Sequence, residues 1–89
     1  MTTNEILSAI KKTLGKTYWN HATRNNDEIL MVWFVPTDAI KEHVPGGEIV
    51  FNTKMDTWEA DRFAGDKKRK GKGIDSLIEF LEGVVRKKR

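Results

Sequence analysis

The chain has no cysteine, so neither disulfide bridges nor thiolate metal sites can reinforce its core. That absence accords with a cytoplasmic protein, while the basic run Lys67 to Lys70 resembles a nuclear-import signal, which has meaning in a eukaryotic cell. Long apolar runs are missing too: the longest, Ile29 to Val35, is seven residues, far short of the roughly 20 a membrane-spanning helix needs. The opening Met1-Thr2-Thr3-Asn4-Glu5 carries no basic stretch before a small-residue cleavage site, so no secretory signal is expected. The two histidines, His21 and His43, are too few and too far apart to imply zinc. The glycine-rich phosphate loop ending in Gly-Lys-Ser/Thr, the GxSxG nucleophile elbow and the HExxH zinc pair are all absent. An enzyme is therefore not expected, and no cofactor or metal with it. The residual catalytic reading is a metal-dependent nuclease, which would need two of Asp27, Glu28, Glu48, Asp56, Glu59 and Asp61 to converge. Their spacing selects no pair.

What is present is one small domain's worth of amphipathic segments. Eighty-nine residues suffice for two layers of secondary structure around one core. A chain this short hides a modest fraction of its surface, which makes homodimerisation a natural way to bury more. A helix is predicted from about Asn4 to Leu14, since Ile6, Leu7, Ile10 and Leu14 share one side of a 3.6-residue period. Thr2 and Glu5 have capping-box spacing, Thr3 is an equally good cap, and Gly15 is a suitable stop. Lys11, Lys12 and Lys16 suit the negative pole of that helix.

Thr17–Thr23 is β-compatible and the polar break 24–27 follows it. Glu28–Val35 reads as a central strand with Ile29, Met31, Trp33 and Val35 on one face and Leu30, Val32 and Phe34 on the other. Pro36 ends it. A short helical turn, Asp38–His43, is broken by Pro45-Gly46-Gly47, and Glu48–Asn52 forms a third strand. The stretch 55–65 fits a strand, a helix or a loop. In the last helix Ile74 precedes a cap at Asp75 or Ser76, and Leu77, Ile78, Leu81, Val84 and Val85 make the apolar stripe.

The expected fold is α+β, a small antiparallel sheet of three or four strands packed against N- and C-terminal helices, in the order α-β-β-(short α)-β-α. Residues 1–85 would form the compact domain, including a basic loop at 65–73. Residues 86–89 would form a flexible basic tail. The order resembles that of the double-stranded-RNA-binding domain, but that family's lysine cluster at the last helix's start has no counterpart here, so membership is not assigned.

Charge is distributed unevenly. Residues 1–62 carry seven Lys/Arg against nine Asp/Glu, whereas residues 63–89 carry nine against four. Such a polarised chain suits a polyanionic partner. Lys67, Lys68, Arg69, Lys70 and Lys72 run into the last helix, and Arg86, Lys87, Lys88 and Arg89 follow it. These are the candidate contacts to a DNA or RNA backbone, with Gly71 and Gly73 giving backbone N–H groups close access to phosphate. Tyr18, Trp19 and Trp58 are candidates for stacking on bases or meeting a partner. The alternative is a small regulatory or inhibitory protein-interaction module, or docking to an acidic protein surface. That reading expects an exposed apolar patch rimmed by charge.

Overall fold

The computed structural model describes residues 1–37, 46–63 and 67–87. The expected short helix at Asp38–His43, together with His43 itself, lies outside the described residues. The elements are α1 (Thr3–Leu14), β1 (Tyr18–Asn25), β2 (Ile29–Pro36), β3 (Glu48–Asn52), β4 (Thr57–Asp61), β5 (Arg69–Lys72) and α2 (Ile74–Lys87). The class is α+β as expected, but the antiparallel sheet has five strands in the order β1-β2-β3-β4-β5. The fourth strand, β4, lies in the segment that fitted several conformations, and the strand beyond the expected number is β5, inside the expected basic loop.

Helix α1 starts as its sequence dictates. Glu5 N–H donates to Thr2 Oγ1 at 3.2 Å and Thr2 N–H donates to Glu5 Oε1 at 3.0 Å, completing a capping box. At the other end Gly15, with φ 56°, donates its N–H to the Lys11 carbonyl. The β1–β2 hairpin turns on Asn26, whose Oδ1 accepts from the N–H groups of Glu28 and Ile29. A bulge between Asn20 and Ala22 offsets β1 against β2.

Helix α2 begins at Ile74, so Asp75 and Ser76 lie within its first turn instead of capping it. Gly73, with φ 83°, precedes the helix, and its carbonyl accepts from Leu77 N–H. The helix continues to Lys87, so Arg86 and Lys87 are helical and not part of a free tail. Lys88 and Arg89 lie outside the described residues.

Strand alternation sorts the apolar residues onto two faces. Leu30, Val32, Phe34, Ile49, Phe51, Trp58 and Ala60 point to the helices and are buried. Ile6, Ile10 and Leu14 of α1 and Leu77, Leu81, Val84 and Val85 of α2 close over them. Phe63 joins this core with its ring 5.2 Å from that of Tyr18 and 6.2 Å from that of Phe34. Burial of this continuous apolar set is the main stabilising term. Among the described residues no helix covers the opposite face: Ile29, Met31, Trp33 and Val35 of β2 and Val50 of β3 are each only partly buried there.

Candidate nucleic-acid interface

The basic segment is divided by strand geometry. Residues 69–72 pair antiparallel with β4, in the register Arg69–Ala60, Lys70–Glu59, Gly71–Trp58 and Lys72–Thr57. Because side chains alternate along a strand, Lys70 and Lys72 share the open sheet face with Glu59 and Thr57, while Arg69 and Gly71 share the helix side with Ala60 and Trp58. Lys70 Nζ lies 3.5 Å from Glu59 Oε1, and Lys68 Nζ lies 3.9 Å from Glu59 Oε2. All of these side chains are largely solvated, so the pairs contribute little to stability. They do give Lys68 and Lys70 an anionic neighbour.

Arg69 faces a different environment. It lines an open groove along α2 together with Glu79, Phe80, Gly83, Arg86 and Lys87. Arg69 of the first basic cluster and Arg86 and Lys87 of the second, separated in sequence by the length of α2, therefore line one groove. Glu79 is the groove's anionic member. Val84 lines this groove, and its neighbour Val85 lines a second depression that also holds Lys12, Lys16 and Gly15. The C-terminal ends of α1 and α2 thus lie side by side, and their negative poles account for part of the cation density there. Lys12 and Lys16, which the sequence presented only as helix-end residues, stand at the same end of the molecule as Arg86.

The two glycines have structural explanations. A Cβ on Gly71 would collide with Trp58 Cε2 and Cζ2, so this position is glycine because the indole covers it. The Gly73 N–H donates to the Asp56 carbonyl at 2.8 Å, which occupies the donor that phosphate would need.

The three candidate aromatics also separate. Trp58 is 5 % exposed, stacks on Phe80 at 5.5 Å and donates its indole N–H to Ser76 Oγ at 2.9 Å. The Ser76 hydroxyl in turn reaches the Lys72 and Gly73 carbonyls at 2.7 and 3.0 Å. This chain ties β4, β5 and α2 together and withdraws Trp58 from any ligand. Tyr18 is buried against Phe63. Trp19 is half exposed, with its ring 5.8 Å from His21, and alone of the three is open to solvent. Trp33 is only partly buried, on the open face.

Of the six candidate carboxylates, Glu48, Glu59 and Asp61 line one small pocket together with Lys68. Glu48 and Asp61 are directly opposite in the β3–β4 register, with Glu59 two residues from Asp61 on the same face. Asp27 and Glu28 are exposed at the β1–β2 hairpin, and Asp56 is in the β3–β4 turn. Among the described residues no group of three His, Asp or Glu side chains has the geometry to hold a metal ion. No described helix is long and apolar enough to cross a membrane. Comparison with protein-family models, curated protein sequences and solved structures finds no match.

Proposed function

We propose that this is a non-enzymatic nucleic-acid-binding protein that holds the phosphate backbone along the edge made by β5 and the C-terminal half of α2. The observation that carries the reading is the shared groove of Arg69, Arg86 and Lys87. One cation of the strand β5 segment and two from the end of α2, far apart in sequence, line it together. Arginine suits this role because its planar guanidinium can donate two parallel hydrogen bonds to a phosphate, while lysine supplies a mobile point charge. Such contacts position a backbone and release its counterions without reading base identity. Lys67, Lys68, Lys70 and Lys72 add long-range attraction from the same edge. Lys68 and Lys70 contribute less, since Glu59 offsets them.

The test is a titration against single- and double-stranded DNA and RNA at two salt concentrations. Arg69→Ala/Arg86→Ala/Lys87→Ala should bind far more weakly than the parent. Its log–log salt slope should be shallower by about 2 to 3, one phosphate contact for each lost cation. Lys70→Ala/Lys72→Ala, on the sheet face, should lose much less. Equal losses in the two variants would remove the groove as the site, and no salt-dependent binding by the parent would remove the function.

A further inference from the structure

The open face of the sheet has a pattern that the nucleic-acid reading does not use. One transverse row, read from the strand registers, runs Arg24 (β1), Met31 (β2), Val50 (β3), Glu59 (β4). It is cationic at one end, apolar through the middle and anionic at Glu59, beyond which Lys70 of β5 follows. Around its centre lie Ile29, Trp33 and Val35, each only partly buried, and Trp19 is half exposed at the β1 edge. Both helices cover the opposite face.

The four-strand part of this row is complementary to itself. A two-fold axis in the interface, parallel to the strands and passing between β2 and β3, lays β2 of one copy over β3 of the second, and β1 over β4. Met31 then meets the second copy's Val50, and Arg24 meets the second copy's Glu59, twice in each dimer, while β5 with Lys70 overhangs the second copy's β1 edge. We propose that the open sheet face is the interface of a face-to-face homodimer. Its halves would be two sheets about 10 Å apart with strands within about 30° of alignment. Two features of the chain favour a second copy as occupant. Arg24 and Glu59 each find the opposite charge on the same surface, and so small a domain gains proportionally more from added burial. Neither Arg24 nor Glu59 lines the groove at α2, so dimerisation and phosphate contact stand or fall separately.

The registers dictate a charge-swap experiment, read by sedimentation or light scattering without nucleic acid. The parent should be dimeric. Arg24→Glu and Glu59→Arg should each dimerise at least about tenfold more weakly, because each variant sets like charges against each other at both ends of the interface. An equimolar mixture of the two variants should recover dimer. In the mixed dimer the two substituted side chains face each other as an opposite-charge pair, and the unsubstituted Arg24 of one chain meets the unsubstituted Glu59 of the other. Thermal melts confirm that each variant is folded. Should Glu59→Arg lose its fold, Arg24→Glu, on the solvated edge strand, carries the test alone through its weaker dimer. A parent that stays monomeric, single variants that dimerise like the parent, or a mixture of folded variants that stays monomeric would each overturn the proposal. The first of these outcomes would assign the face to a different partner.

Discussion

Gly71 and Trp58 show how one residue's environment reassigns another's role. In sequence, a glycine between Lys70 and Lys72 looks like a site of close backbone approach to phosphate. In the fold the Trp58 ring fills the space where a Cβ would sit. Gly71→Ala should therefore destabilise the domain by about 1 to 3 kcal/mol through overpacking, although alanine costs less chain entropy than glycine. Urea denaturation measures this, and unchanged stability with weaker nucleic-acid binding would restore the phosphate role. Asp56, Glu59 and Asp61 surround Trp58 in sequence, but in a strand its side chain points away from Glu59 and into the core.

At the level of elements, α1 was legible because its signals are local. Its apolar period, Thr2–Glu5 box and Gly15 stop all lie within the helix or beside it. The Thr2 N–H, and secondarily its hydroxyl, stabilise the ionised Glu5 carboxylate and hold its pKa below the usual value. A carboxyl with a lowered folded pKa contributes stability that is complete above its unfolded pKa, about 4.3 for Glu. That contribution is lost as pH falls through the folded value. The stability advantage of the parent over Glu5→Gln should accordingly be present at neutral pH and vanish on acidification, as compared by urea melts at the two pH values. An advantage that persists in acid would mean that the carboxylate charge is not its source. β5 had no local signal to offer. Arg69-Lys70-Gly71-Lys72 contains no β-branched or aromatic residue and no apolar alternation, so it reads as loop. Pairing with β4, the Trp58 cover and the Ser76 hydrogen bonds make it a strand.

For the whole molecule, the useful quantity is where charges meet. The excess of cations in residues 63–89 was visible by counting, but the fold divides it between two faces. Lys68 and Lys70 pair with Glu59, and Arg69 lines a groove shared with Arg86 and Lys87. Glu79 is the carboxylate in that groove, so the phosphate reading makes an unusual demand on it. Glu79→Gln should raise nucleic-acid affinity, by roughly two- to fivefold at low salt for an exposed charge, and by less at high salt as screening grows. The same titration that tests the groove checks it, and a weaker-binding Glu79→Gln would mean that nucleic acid does not lie there.

The sequence by itself determined the α+β class, both long helices, β2 and β3. Each of these is encoded by periodicity, capping or turn chemistry within a few residues. Only the tertiary structure decided the fifth strand, the groove that Arg69 shares with Arg86 and Lys87, and the open face on which Met31, Trp33 and Val50 lie between Arg24 and Glu59. Those depend on strand register and on which face the helices cover. The physical reason is that alternation assigns a strand's residues to two sides, while packing of the whole chain selects the side that is buried.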